Sequence, residues 1–302
     1  MNTKEMNEHA LSVLAKGNFF EAQQLFQKYA KINPCAETYN NLGYYYYTEG
    51  MELPDGKTKN AKELSCRYLE KAWEMKPLVK TCLNIGYICY EADCYEDAYR
   101  YYEAAYKLLP TEESLYNMSI MLYMGKKYEA CIKLLESQEF PPSQILHFFA
   151  TVYHGGVEQD WKLANNQKVI TALDAIDLLV LYYHSQQPMR IIELIPRLKT
   201  WGFEPPDWAM FVDALLSIGK EEIMMKYVKE KLDEKCHAKT IKKVKKMIRK
   251  KDYREQLIEG SRFIPQLIMH CGYEDCPKHQ KLFDPYTSRL MDKPSFETGE
   301  TD

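Results

Sequence analysis

Apolar residues return every three to four positions along most of this chain, and the pattern itself comes back. Gly17-Asn18-Phe19-Phe20-Glu21-Ala22, continuing through Phe26 to Pro34, is repeated as Cys94-Tyr95-Glu96-Asp97-Ala98, continuing through Tyr102 and Ala105 to Pro110. Cys66 to Pro77 carries the second half of that pattern in Tyr68, Leu69 and Ala72, and Gly125-Lys126-Lys127-Tyr128-Glu129-Ala130 restarts it. A period of 3.6 residues predicts helices, and the proline after each stretch closes one. Pro77 to Pro110 spans 33 residues, as does Gly17 to Gly50, the period of a helix pair.

A second periodicity lies on the first helix of each pair. Asn41, Asn84 and Asn117 are each followed two residues later by Gly43, Gly86 or Ser119, and six residues later by Tyr47, Tyr90 or Tyr123. Offsets of three and six keep Tyr44, Tyr87 and those later tyrosines on the same side of the helix as the Asn. The small residue lies roughly 200° round, facing a neighbouring helix. One face therefore repeats, and it is polar and aromatic. An amide supplies a donor and an acceptor together, which is what a desolvated peptide unit requires, while tyrosine adds apolar area with a polar tip.

Residues 3 to about 140 resemble tandem tetratricopeptide repeats. The likeness rests on Tyr39, Leu42, Gly43 and Tyr46, then on Ile85, Gly86, Ala98, Tyr102, Ala105 and Pro110. It implies an all-α fold, a right-handed superhelical solenoid of antiparallel helix pairs. In that family the first helix of each repeat lines a concave face, and the Asn before the apolar and small pair bonds the backbone of a bound peptide. Carried over residue by residue, the role falls on Asn41, Asn84 and Asn117, with Tyr44, Tyr47, Tyr87, Tyr90 and Tyr123 as walls. Lys80, one turn before Asn84, is the candidate for the lysine of a terminal-carboxylate clamp. Asn7 stands where the first repeat of such a clamp carries Lys. The competing reading is that the amides stabilise adjacent helices and the tyrosines fill a solenoid surface. Residues 51–60 depart from the family as a polar insertion.

Beyond Pro141-Pro142 the signature decays while helical periodicity persists over 143–153, 160–170, 172–185, 188–199, 206–218 and 220–233. The expected organisation is repeats over 1–142, degenerate hairpins continuing the solenoid over 143–235, a basic helix and Cys/His-rich segment over 236–284, and a flexible tail over 285–302. Ile241, Val244 and Ile248 give the lysine-rich helix expected over 236–258 a narrow apolar edge. Lys242, Lys243, Lys245, Lys246, Arg249 and Lys250 then face solvent, as a solvated face or as a contact for nucleic-acid phosphates or an acidic protein. His270, Cys271, Cys276 and His279 offer four zinc ligands in ten residues, with Cys236 and His237 as distant substitutes for the fourth.

Composition narrows the function classes. The 302 residues are 46% hydrophobic with a formal charge of −3, so no global field points to nucleic acid or an anionic surface. Met1-Asn2-Thr3-Lys4-Glu5 lacks the order of a signal peptide, and no stretch approaches a membrane span. Nine cysteines, an odd number, with Cys82 and Cys89 on an apolar stripe, read as reduced thiols of a cytoplasmic protein. Phosphate loops, GxSxG elbows, HExxH and GxGxxG are absent. The expectation is a non-catalytic adaptor or scaffold that binds a peptide segment of a partner protein, without a cofactor unless the Cys/His cluster holds structural zinc. The alternatives are a nucleic-acid-associated regulator using the basic helix and a metal knuckle, and a sensor of a small signalling peptide.

Overall fold

In a computed structural model the described residues are 1–50, 61–155, 164–198, 203–231, 234–250, 253–260, 263–279 and 281–283. Among them every regular element is a helix, as the periodicity predicts. The chain divides into two compact units. One holds the described residues of 1–127 together with those from Leu267 onward; the other holds the described residues of Tyr128–Gln266.

In the first unit α1 (Thr3–Leu14) pairs with α2 (Phe19–Ile32), α3 (Ala36–Thr48) with α4 (Ala61–Met75), and α5 (Val79–Glu91) with α6 (Tyr95–Leu108); α7 (Glu112–Met124) follows. The local chemistry sets these limits. Asn2 and Thr111 cap α1 and α7 by accepting from the Glu5 and Ser114 N–H groups. Pro34, Pro77 and Pro110 follow α2, α4 and α6 and bar their continuation. The turns out of α1, α5 and α7 use left-handed residues, Gly17 at φ 80°, Asp93 at 57° and Lys126 at 58°.

Small residues let the pairs close. A Cβ on Gly43 would lie 2.7 Å from Leu69 Cγ, and one on Gly86 would lie 3.0 Å from the Tyr102 ring. The side of α3 and α5 opposite the asparagines therefore packs backbone against a large side chain of the following helix. Phe26, Tyr45, Leu69, Leu83 and Tyr102 are buried there.

The second unit comprises Tyr128–Leu135, Pro141–Tyr153, Gln167–Ala172, Ala175–His184, Pro188–Leu198, Pro205–Ser217, Glu221–Lys231, Glu234–Ile248 and Tyr253–Gly260. Phe148, Phe149, Trp208, Phe211 and Tyr227 fill its interior, with Phe263 stacked on Phe149 at 4.2 Å. The helix expected from 172 starts at Ala175, because Asp174 accepts from the Asp177 N–H and caps it. The single helix expected over 236–258 is two. One ends at Ile248 and the next begins at Tyr253, and in the sequence the apolar edge of Ile241, Val244 and Ile248 is not continued by Arg249-Lys250-Lys251-Asp252. The insertion at 51–60, the first part of the helix expected over 160–170 and the tail over 285–302 lie outside the described residues.

The organisation differs from the expected one in one respect that matters for function. The Cys/His-rich stretch does not stay with the lysine-rich helix; from Leu267 it packs with residues 1–127.

Overpacking of a closed core costs roughly 1–3 kcal/mol. Gly43→Ala is expected to lower stability by about that amount in urea unfolding, with helicity by circular dichroism retained.

Candidate functional site: a groove occupied by the chain's own segment

The three asparagines act on one strand of backbone. Asn117 donates to the Ile268 carbonyl at 2.8 Å and accepts from the Ile268 N–H at 2.8 Å. Asn41 does the same at Glu274, donating at 3.2 Å and accepting at 2.6 Å. Each amide thus satisfies both polar groups of a single residue, as a neighbouring β-strand would. Between them Asn84 donates to the Gly272 carbonyl at 3.0 Å.

The occupant is residues 267–275 of the same chain. From Asn117 to Asn41 it passes across α7, α5 and α3 while advancing six residues, from Ile268 to Glu274. Two helix diameters of 10–12 Å are about the span of six fully extended residues, so the segment is nearly straight. Its side chains alternate over the first part, with Ile268 and His270 buried and Met269 exposed, until Gly272 and Tyr273 are both buried.

Polar groups around the middle of the groove form one bonded network. Asn40 Nδ2 reaches the Gly272 carbonyl at 2.8 Å, and Asn40 Oδ1 accepts from Thr81 and Asn84, each at 3.0 Å. Since the Asn84 Nδ2 hydrogens go to Asn40 and Gly272, its Oδ1 accepts from His270 Nε2 at 2.9 Å, which fixes the tautomer. Burial, with the Lys80 charge adding to it, pushes His270 down to about 3, so the ring enters neutral. Lys80 Nζ donates to the Tyr273 carbonyl, so the lysine expected to meet a terminal carboxylate here meets a main-chain oxygen. Asn7 Nδ2, in the first repeat, donates to Asp275 Oδ2 at 2.9 Å.

Apolar contact holds the far end. The Tyr273 ring stacks on Phe26 at 5.8 Å and meets the Tyr44 ring edge-on at 4.7 Å, joining the core of the first two repeats. Gly272 is the closest approach: a Cβ there would fall 2.4 Å from the Tyr44 ring and 2.5 Å from Asn84 Oδ1. Burial raises the Tyr44 hydroxyl to about 12 and pushes the Glu274 carboxyl up.

The expected walls sort into groups. Tyr44, Tyr47 and Tyr87 line a cavity of about 220 Å³ with Thr48, Asn84 and Ile88, closed on one side by Met269 and His270. Tyr47 and Tyr87 meet edge-on at 5.9 Å, and the Tyr47 hydroxyl donates to Glu91. Tyr90 is half-buried beside Tyr87 and Tyr95. Tyr123 is a correction: it is fully enclosed, so its ring lines no open wall. The residue six positions after the third Asn is core because α7 is buried on nearly every side.

Of the four zinc candidates, the ligand atoms of Cys271, Cys276 and His279 lie within 4.8 Å of one another, and all three residues are half-buried. The fourth departs from expectation: His270 points its Nε2 into the groove at Asn84. The side chains of Cys236 and His237 lie outside the described residues. Hydrogen bonds from Cys271 and from His279 pull Cys276 below the ordinary thiol range, and the Cys271 bond raises Cys271 in turn.

In the second unit Ile241 and Val244 are buried, while Lys242, Lys243, Lys246, Arg249 and Lys250 are exposed. Lys245 is half-buried and pairs with Glu221 at 3.5 Å. Apart from Lys245 the lysine face is exposed, which both readings of it expect. No helix of the described chain is long and apolar enough to cross a membrane.

Sequence reasoning missed Asn40, Thr81 and the occupant itself. Asn40 carries a visible signal, the Asn40-Asn41 doublet that sets a second amide beside the first.

No family model matches this chain, and no curated protein matches it. Among solved structures it is similar to PilF of Pseudomonas aeruginosa, at 16% identity with a TM-score of 0.41, covering 79% of this chain and 96% of that one. It is also similar to a tetratricopeptide repeat protein from Parabacteroides merdae, at 12% identity with a TM-score of 0.46, covering 80% and 98%. The helix pairs, their small-residue contacts and their period make the first unit tetratricopeptide-like in its own geometry.

Proposed function

We propose that this protein is a non-catalytic adaptor whose groove binds an extended peptide segment of a partner protein, and that residues 267–275 occupy that groove until the partner displaces them. The observation that carries the reading is the two-sided bonding of Ile268 by Asn117 and of Glu274 by Asn41. Amides that grip main chain rather than side chains accept any extended sequence, so specificity falls to the pockets between them.

The chain's own segment leaves room in the groove. The 220 Å³ cavity beside Met269 is lined by three tyrosines, and the Met269 side chain stays partly in solvent. A partner with an aromatic or bulky apolar residue at that position buries area that Met269 does not. The tethered segment competes at an effective concentration in roughly the millimolar range, so an incoming ligand needs this additional contact. Cysteines in the thiol form, Cys82 and Cys131 among them, fit a cytoplasmic setting.

Gly272→Ala and Tyr273→Ala in the full chain are expected to undock the segment while leaving the repeats helical by circular dichroism. Both variants should capture a labelled synthetic peptide of residues 265–275 at least tenfold more tightly than the parent protein does. A peptide carrying Met269→Phe should bind more tightly still. If neither folded variant captures the peptide, the groove is not a ligand site.

Adding Asn117→Ala to either variant strands a buried N–H and C=O, at roughly 1–3 kcal/mol each. Titration should register peptide affinity weaker by at least about 30-fold. Undiminished capture would assign the asparagine to helix stability alone.

A further inference from the structure

The groove segment ends in a turn whose side chains take no part in the amide ladder, with Cys271 and Cys276 lying against the core of the first repeats. Asp275 takes a left-handed backbone at φ 55°, held by Asn7, and reverses the chain just after Glu274. That reversal brings Cys276 back beside Cys271. The His279 N–H then bonds the Cys276 carbonyl at 3.2 Å and folds the imidazole onto the same spot. Cys276 Sγ and His279 Nδ1 are 3.4 Å apart.

Those separations match coordination chemistry. Zn–S and Zn–N bonds of about 2.3 and 2.05 Å at tetrahedral angles set an S···N edge of about 3.6 Å and an S···S edge of about 3.8 Å. With all three donor atoms within 4.8 Å of one another, a small inward movement completes three vertices. Half-burial leaves the fourth vertex reachable by water. Two soft sulfurs and one imidazole select zinc-class ions over magnesium or calcium.

We propose that Cys271, Cys276 and His279 bind a zinc-class divalent ion through two thiolates and one imidazole, with water as the fourth ligand, and that the ion fastens the self-segment in the groove. Binding displaces the two thiol protons to solvent and changes no oxidation state. The ion ties Cys271, inside the groove, to Cys276 and His279 beyond it and so holds the segment in its docked shape, which lowers the ordering cost of occupying the groove. The metal site stands without the groove reading; the fastening rests on it.

Full-length protein, stripped with chelator and kept reduced, is titrated with Co²⁺ and then with Zn²⁺. Expected are about one cobalt per chain, a thiolate charge-transfer band with the visible absorption of a tetrahedral ion, and displacement by zinc. Cys276→Ser and His279→Ala should each weaken binding at least a hundredfold, while Cys94→Ser, at an exposed thiol, leaves it unchanged. Absence of the thiolate band, or a signal that survives Cys276→Ser, overturns the site and leaves an adventitious ion only. For the fastening, capture of the labelled 265–275 peptide by the parent protein should rise at least tenfold in chelator and fall when zinc is restored. Equal capture in both conditions, high or low, overturns the fastening and leaves the site intact. Failure of the groove itself is distinguished by Gly272→Ala, which then captures no peptide with or without metal.

Discussion

A peptide that leaves water must find partners for its N–H and C=O groups, and in this protein the partners are side-chain amides set one per repeat. Burying an unpaired main-chain group costs roughly 1–3 kcal/mol, more than a typical hydrogen bond contributes net. The groove can therefore be deep only because Asn41, Asn84 and Asn117 stand where the passing backbone presents its polar atoms. Roughly three extended residues span one helix diameter, so a ladder with one rung per repeat is commensurate with a nearly straight chain. The departure comes at Asn84, which spends its oxygen on His270 and shares the Gly272 carbonyl with Asn40, itself held by Thr81.

The ladder depends on contacts on the other side of the same helices. Gly43 against Leu69 and Gly86 against Tyr102 set how closely successive pairs approach, and hence the spacing of the rungs. Side chains that face solvent in an open groove here become interior. The stack of Tyr273 on Phe26 and its edge contact with Tyr44 show the self-segment extending the core of the first repeats as well as filling a site. Its grip combines nondirectional burial at Tyr273 with directional bonding at Ile268 and Glu274, and the cavity beside Met269 is the place where the fit is loosest.

Much of this was legible in the chain. The helix pairs, the prolines that end them and the small residues between them follow from local periodicity, because each helix must bury one stripe against its neighbours in sequence. The shared face of Asn41, Tyr44 and Tyr47, and of Asn84, Tyr87 and Tyr90, follows from the turn of the helix. Where the reading erred, periodicity outran context: Tyr123 has the right offset from Asn117 but lies on a helix enclosed on nearly all sides, and the lysine-rich helix breaks where its apolar edge stops.

The sequence by itself determined a helical repeat array bearing a row of amides, since those features depend on residues a few positions apart. What met the amides was decided only by the tertiary structure. Residues 267–275 have no helical period, cap or turn signature that points to the first repeats, and the bond between Asn41 and Glu274 joins positions 233 residues apart. The same long-range folding turned His270 toward Asn84 and drew Cys271, Cys276 and His279 together. Amides that hold main chain leave almost no mark on the sequence they hold, because every residue offers them the same N–H and C=O.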